Sequence, residues 1–212
     1  MSGAVARTTG RDLETRRQVI DAAIACILER GFYRASSNEI ARRASMTWGV
    51  IQYHFGTREA LMLAVLKDGA DRFMDLLEDA HVTGATVEVR LDRLLDLLYE
   101  HYGRQEYLAW VQVLLNLHHD PNTSDEVRGT LAAVAAESTA HIRRLLGEVL
   151  GPEHEDSDVA STLFLVIRGF ALSQQLLVSM AYDSIPPEAD LIDVQRATLT
   201  KMLAPYLSTM CD

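Results

Sequence analysis

The side chains best suited to molecular recognition are concentrated between residues 36 and 58. Gln52 carries an amide that can form two hydrogen bonds with adenine, and the adjacent Tyr53 can contact a thymine methyl group. Thr47 and Arg58 can donate hydrogen bonds to phosphate oxygens. The predicted chemistry is therefore hydrogen bonding to duplex DNA. The candidate DNA-binding residues are Ser36, Thr47, Trp48, Gly49, Gln52, Tyr53, His54 and Arg58.

Two short helices are predicted to position these side chains. Ser36 followed by Glu39 forms a capping-box pattern, in which the hydroxyl accepts from the Glu39 N–H and the carboxylate returns to the Ser36 N–H. Thr47 is a good N-cap for a second helix of about two turns. In that helix Ile51 and Phe55 share the inward face, and Gly49, Val50 and Tyr53 lie roughly opposite. The pattern predicts a helix-turn-helix, whose second helix enters the DNA major groove.

The same stretch resembles the tetracycline-repressor (TetR) family of transcriptional regulators. The resemblance covers roughly residues 15–66 and rests on the combined spacing of short motifs. They are Gly31-Phe32, Ile40-Ala41, Ala44-Ser45-Met46-Thr47, Thr47-Trp48-Gly49, His54-Phe55 and Thr57-Arg58-Glu59-Ala60-Leu61. The chain departs from the family pattern at Ser45, where glycine is usual, at Gln52, where tyrosine is usual, and at Arg58, where lysine is usual.

The composition is typical of a soluble globular protein. Of the 212 residues, 48% are hydrophobic and 24% are charged. No apolar run approaches the ~20 residues of a membrane span, and the first residues lack the apolar segment of a signal peptide. Cys26 and Cys211 fit a reducing compartment better than a disulfide framework. We therefore expect a cytoplasmic protein.

The net charge of −10 is unevenly distributed along the chain. Residues 1–58 contain nine arginines and five acidic residues, whereas the remainder contains 11 basic and 25 acidic residues. This asymmetry indicates an amino-terminal segment that is attracted to DNA and an acidic body that is repelled by it. A solvated charged surface without a partner is the alternative interpretation.

Hydrophobic periodicity predicts an all-α fold. A helix that opens near Thr15 should support the helix-turn-helix, and a long helix should follow Thr57. Five more helices are predicted at about 86–102, 105–118, 124–150, 157–181 and 188–209, with Pro205 kinking or ending the last. The predicted organisation is a flexible basic tail (1–12), a helix-turn-helix DNA-binding domain (13–56) and a helical bundle for ligand binding and dimerisation (57–212).

The family resemblance implies an effector pocket and a dimer interface within the bundle. The candidate ligand-binding residues are Tyr99, Tyr102, Trp110, Leu114, His118, Arg168 and Gln174. The candidate interface residues are Leu163, Val166, Phe170, Leu177, Leu191, Val194, Leu199 and Leu203. The polar candidates are equally compatible with satisfied core groups or interface contacts. The apolar stripes are equally compatible with the core of one monomer.

Motifs for catalysis are absent from the sequence. It has no phosphate-binding loop, nucleophile elbow, Cys-x-x-Cys pair or paired catalytic carboxylates, and its histidines lack metal-ligand spacing. We predict neither an enzyme nor a metal site nor a cofactor. The favoured hypothesis is a homodimeric, ligand-responsive regulator, in this family most often a repressor, that leaves a palindromic operator when a small-molecule effector binds. The alternatives are a constitutive or architectural DNA-binding protein without a ligand, and a helical enzyme or carrier with a vestigial DNA-binding segment.

Overall fold

The computed structural model of the protein describes residues 10–179 and 189–211. Over these ranges the chain forms nine α-helices and one 3₁₀ turn, and no strand, so the predicted all-α fold is confirmed. The helices are α1 (Gly10–Arg30), α2 (Ser37–Arg43), α3 (Trp48–Phe55), α4 (Arg58–Glu78), α5 (Val87–Tyr102), α6 (Glu106–His119), α7 (Asp125–Leu150), α8 (Asp158–Ser179) and α9 (Ala189–Cys211). The 3₁₀ turn spans Pro152–His154.

The chain folds into two compact units. Of the described residues, 10–69 and 108–130 form the first unit, and 70–107, 131–179 and 189–211 form the second. The first unit therefore contains the predicted DNA-binding segment 13–56 together with the start of α4 and parts of α6 and α7.

The core of the first unit is built on α1. Val19, Ala23, Cys26 and Ile27 on this helix are fully buried, as their spacing of four, seven and eight residues from Val19 predicts. Ile40 of α2 and Ile51 of α3 are fully buried as well. A two-helix motif alone buries too little apolar surface to be stable, so the third helix is what holds α2 and α3 in place.

The turn between α2 and α3 is a Schellman motif. The N–H of Met46 donates to Ala41 O at 2.9 Å, and the N–H of Ser45 donates to Arg42 O at 3.2 Å. Ser45 occupies the left-handed position of this motif with a φ of 55°, a conformation that favours glycine. Thr47 then caps α3 by accepting from the N–H of Val50 at 3.4 Å.

The second unit has an aliphatic core contributed by several helices. Its fully buried side chains include Leu91, Leu94 and Leu98 of α5 and Leu145 of α7. The end of α4 is fixed by Arg144, whose Nη1 and Nη2 donate to Ala80 O at 2.9 Å and to Leu77 O at 2.8 Å. These bonds satisfy carbonyl groups that a helix terminus otherwise leaves without partners.

Three local predictions differ from the structure. Helix α1 begins at Gly10, so residues 10–12 are helical rather than part of the predicted tail, and residues 1–9 lie outside the described residues. Pro205 does not end the last helix, because α9 continues to Cys211. Only half of the capping box forms. Ser36 Oγ accepts from the N–H of Glu39 at 3.3 Å, but the Glu39 carboxylate pairs with Arg42 and Arg30.

Helix α8 has an unusually apolar composition. Among the described residues, its segment Asp158–Leu177 is long and apolar enough to cross a membrane, and only 22% of its most apolar window is buried. Length and composition alone are weak evidence for a span, because core and interface helices of soluble proteins meet the same criterion.

Candidate nucleic-acid interface and effector region

The outer face of α3 combines exposed polar and aromatic groups. Ile51 and Phe55 point into the core, whereas Gln52 and Tyr53 are exposed, and 85% of the Tyr53 surface is accessible. At Gly49 an added Cβ would meet only Thr47 Oγ1, at 3.8 Å. The backbone at the start of α3 is thus open to close approach by another molecule.

Three further predicted DNA-binding residues lie in the same unit with different degrees of exposure. Ser36 is exposed at the N-cap of α2, and Trp48 is half-buried at the start of α3. The half-buried His54 ring contacts Tyr53 edge-to-face at a centroid distance of 5.2 Å. Its carbonyl oxygen accepts a hydrogen bond from Arg16, which also lies 4.4 Å over the Phe55 ring. His54 therefore supports the position of Tyr53.

Arg58 is a correction to the predicted set. Its Nη2 donates to Phe32 O at 2.9 Å and to Ala35 O at 3.4 Å, and the guanidinium lies 4.6 Å over the Phe32 ring. Burial lowers the pKa of Arg58 below its ordinary value. The side chain joins the start of α4 to the α1–α2 loop, so its donors are engaged within the protein rather than presented to a phosphate.

Several arginines of the first unit are paired with acidic side chains. Arg17 pairs with Asp21 and Asp68, Arg30 and Arg42 both pair with Glu39, and Arg43 pairs with Glu29. Arg34 is different. It is exposed in the loop before Ser36, and no described acidic group lies within ion-pair distance of it. Sequence reasoning missed Arg34, although its place in a short loop directly before a predicted N-cap was a usable signal.

The predicted ligand-binding residues are divided between the two units. Trp110, Leu114 and His118 belong to the first unit, and Tyr99, Tyr102, Arg168 and Gln174 belong to the second. Trp110 is buried against α4 so tightly that a Cβ added at Gly69 would lie 2.5 Å from its ring. The His118 side chain is exposed, and its carbonyl oxygen accepts from Arg128 at 3.2 Å. Trp110 and His118 have structural roles in the first unit that the sequence did not predict.

The second unit contains a cluster of aromatic rings around Tyr102. Tyr102 contacts Tyr107 at a centroid distance of 5.0 Å, Phe73 at 5.4 Å and Phe164 at 6.4 Å. His101 stacks on Phe73 at 4.0 Å. Sequence reasoning missed Phe73, His101 and Phe164 as members of this cluster, because they come from three different helices.

Arg168, a predicted ligand-binding residue, lies at this aromatic cluster. Its Nε donates to the Tyr107 hydroxyl at 2.9 Å, and its guanidinium carbon is 5.9 Å from the centre of the Tyr102 ring. Burial, together with the charges of Arg104 and Arg168, lowers the pKa of His101 to about 3. Burial also raises the pKa of Tyr102 and of Tyr107. The cluster therefore holds neutral rings beside one cation.

The remaining polar candidates make contacts within the second unit. The Gln174 side-chain amide donates to Oε1 of the Gln195 side chain, and this bond links α8 to α9. The neighbouring Gln175 is buried and donates to Gly103 O. Tyr99 is half-buried, and burial raises its pKa.

The apolar surface of α8 and α9 differs in part from the predicted interface. Leu163 is only 4% exposed and belongs to the monomer core, which corrects its predicted role. Of the other interface candidates, Val166 and Val194 are exposed, and Phe170, Leu177, Leu199 and Leu203 are half-buried. The Leu191 side chain falls outside the described residues. Four exposed residues were not predicted, namely Leu165, Leu176, Met202 and Tyr206. We call Leu165, Val166, Leu176, Val194, Met202 and Tyr206 the apolar α8–α9 surface.

A small groove lies beside this surface. It has a volume of about 200 Å³ and is lined mainly by apolar groups. The lining residues are Asp158, Val159, Thr162, Leu163, Val166, Leu203, Tyr206 and Leu207. Metal-ligating side chains form no group of three or more among the residues that the structure describes.

Comparisons with known proteins were made for the whole chain. The sequence model of the family described as bacterial regulatory proteins, tetR family, matches residues 19–65. The HTH-type transcriptional regulator BetI of Rhizobium meliloti is 24% identical over 170 residues, which cover 79% of this chain and 81% of that protein. The fatty acid metabolism regulator protein of Bacillus subtilis is 28% identical over 97 residues, so the match spans 46% of this chain and half of that protein.

A crystal structure of the regulator FadR from Bacillus subtilis, in complex with stearoyl-CoA, has the same fold. The TM-score is 0.62 at 19% identity, with 92% of this chain and 98% of that chain covered. The all-α fold and the helix-turn-helix define a transcriptional regulator, and the relatives are regulators rather than enzymes. Residues 19–65 of the chain thus match the tetR family of bacterial regulatory proteins, and the chain shares its fold with a regulator of this kind.

Proposed function

We propose that this protein is a homodimeric repressor that binds a palindromic operator and is released from it by a small-molecule effector. The exposed pair Gln52 and Tyr53 on α3 carries the DNA-binding part of the proposal. Side chains at this position of a recognition helix meet base edges in the major groove. Arg34 and the N-caps Ser36 and Thr47 lie on exposed backbone nearby and supply phosphate contacts. Such a regulator works in the cytoplasm.

The first experiment is a gel-shift titration with DNA from beside the protein's own gene. Gln52→Ala and Tyr53→Ala should each weaken binding to the selected fragment by about 10-fold or more, because each removes a base contact worth about 1–3 kcal/mol. Gln18→Ala, which alters an α1 side chain that donates to Ala44 O, is the control for indirect effects on the fold. Equal, sequence-independent affinity for all fragments would contradict operator recognition.

The apolar α8–α9 surface supports the dimer part of the proposal. Val194 is 59% exposed and Met202 is 70% exposed on α9, and their separation of eight residues places them about two turns apart on one broad face of the helix. Leu165 and Leu176 form a similar row on α8. Exposed apolar rows of this kind commonly mark interfaces between subunits.

Sedimentation analysis tests this surface directly. Met202→Asp should shift the protein from dimer to monomer and weaken operator binding, because a buried unpaired charge is costly at an interface. Thr139→Asp on the exposed face of α7 is a matched control that should leave the dimer intact. A wild-type monomer at micromolar concentration would contradict the proposal.

The ligand response is supported by the aromatic cluster and Arg168 in the second unit. An effector that shifts operator occupancy from 99:1 to 1:99 must favour the released state by about 5.5 kcal/mol. The FadR of Bacillus subtilis was crystallised with stearoyl-CoA, so a fold of this kind can hold a large organic ligand. Operator release by metabolites of neighbouring genes is the direct test. Failure of all of them would favour a constitutive DNA-binding protein.

A further inference from the structure

Arg168 is a half-buried cation that has no acidic partner within residues 10–179 and 189–211. Its Nε donates to the Tyr107 hydroxyl, and among the described residues no carboxylate lies within 4.0 Å of its guanidinium. The two terminal nitrogens of a guanidinium carry four N–H groups, and no described protein acceptor receives them. A cation that is partly withdrawn from water is disfavoured unless an anion or several hydrogen bonds compensate.

Other arginines of the second unit are compensated by oxygen atoms of the protein. Arg196 pairs with Asp96 at 2.6 Å, and Arg144 pairs with Glu148 at 2.8 Å. Arg90 donates twice to the carbonyl oxygen of Val149. Among the described residues, the hydroxyl of Tyr107 is the one hydrogen-bond acceptor of the Arg168 side chain. The chain nevertheless has 30 acidic residues and a net charge of −10, so acidic partners are abundant in the sequence.

The groups around Arg168 are aromatic and neutral. Tyr102, Tyr107 and His101 contact one another, and Phe73 and Phe164 extend the cluster. After burial, the positive charges of Arg104 and Arg168 also lower the pKa of His101, so the Arg168 charge acts on the rings beside it. Aromatic walls with one convergent cation suit a ligand that has an apolar body and one negative group.

We infer that the effector is an organic carboxylate with an apolar body, held through its carboxylate by the free edge of the Arg168 guanidinium. The planar fork of arginine matches the two oxygens of a carboxylate, and such charge-assisted pairs are about twice as strong as neutral hydrogen bonds. This inference rests on the proposed ligand response and adds the chemical class of the ligand.

The test compares acids with their neutral amides. Benzoate, phenylacetate, octanoate and decanoate are titrated into the full-length protein alongside benzamide, phenylacetamide, octanamide and decanamide, with calorimetry as the measurement. At least one acid should bind about 10-fold more tightly than its amide. Arg168→Gln should abolish this preference, whereas Arg143→Gln, an exposed α7 variant in the same unit, should retain it.

The variants Tyr107→Phe and Arg168→Gln, together with operator binding by the wild type, separate the possible outcomes. Tyr107→Phe removes the Arg168 partner but leaves the guanidinium, so the acid should still be preferred. Equal binding of acids and amides, absence of binding by any acid, or a preference that survives in Arg168→Gln would overturn the inference. If the carboxylate inference is overturned but the wild type binds its operator, the proposed DNA-binding function is still supported. If acids bind through Arg168 but no operator is recognised, the proposed function fails and the inference stands.

Discussion

The guanidinium of Arg58 lies 4.6 Å over the ring of Phe32 and donates to the carbonyl oxygen of the same residue at 2.9 Å. This contact joins the first turn of α4 to the loop after α1, across 26 positions of sequence. A residue that the sequence assigned to DNA thus stabilises the unit that presents the DNA-binding surface.

Replacing Arg58 should destabilise the fold. Arg58→Ala leaves the carbonyl oxygens of Phe32 and Ala35 without this donor and removes a cation–π contact. We expect a loss of about 2 kcal/mol in the free energy of unfolding, measured by urea denaturation. Arg11→Ala, an exposed variant on α1, should change stability by less than about 0.5 kcal/mol. Equal stability of both variants would assign Arg58 back to the DNA surface.

Replacing Arg34 should affect binding to DNA rather than stability. Because Arg34 is exposed and no acidic group in the described part of the chain pairs with it, its loss should weaken binding to all DNA sequences alike. The slope of log affinity against log salt should fall by about 1 for Arg34→Ala. Arg143→Ala, in the second unit and paired with Asp156, serves as the control with an unchanged slope. An identical slope for the two variants would exclude Arg34 from the interface.

The turn of the helix-turn-helix carries conformational strain at Ser45. A residue with a Cβ costs about 1 kcal/mol in the left-handed conformation, which glycine adopts freely. Ser45 has this conformation with a φ of 55°. Ser45→Gly should therefore raise the free energy of unfolding by up to about 1 kcal/mol in thermal or urea denaturation. Ser37→Gly in the first turn of α2 is the control and should not stabilise the protein.

Two helical glycines should respond to alanine in opposite directions. At Gly69 a new Cβ would lie 2.5 Å from the Trp110 ring, so Gly69→Ala should cost about 1–3 kcal/mol through overpacking. At Gly129 of α7 nothing lies within 4 Å, so Gly129→Ala should gain about 0.5–1 kcal/mol from helix propensity. Chemical denaturation of both variants measures the difference. Stabilisation by Gly69→Ala would show that Trp110 can move aside.

The neutral state of His101 predicts a pH dependence of stability. Its pKa is about 3 in the folded protein and near 6.5 in the unfolded chain, so below pH 6.5 the unfolded chain binds more protons. The His101 contribution is complete above pH 6.5 and is lost progressively as the pH falls toward 3. His101→Phe keeps an aromatic ring beside Phe73 and should reduce the slope of stability between pH 6.5 and 4.5. An unchanged slope would exclude His101 as its source.

Local features of the fold could be predicted because their signals are contained in short stretches of sequence. The caps Ser36, Thr47 and Thr57 each accept from a backbone N–H three residues later, as predicted. The inward face of α3 also follows from spacing alone, since Ile51 and Phe55 are four residues apart. The ligand-binding residues were harder to predict from the sequence, because the candidates lie on several helices and are divided between two units.

The sequence by itself determined the all-α fold, the helix-turn-helix and the similarity of residues 19–65 to the TetR family, because capping and periodicity act within about one helix turn of each residue. Only the tertiary structure decided that Arg58 bonds within the first unit, that Leu163 is a core residue and that Arg168 meets Tyr107. Periodicity identifies the apolar face of a helix, but distant parts of the chain decide which groups cover that face and which charges they neutralise.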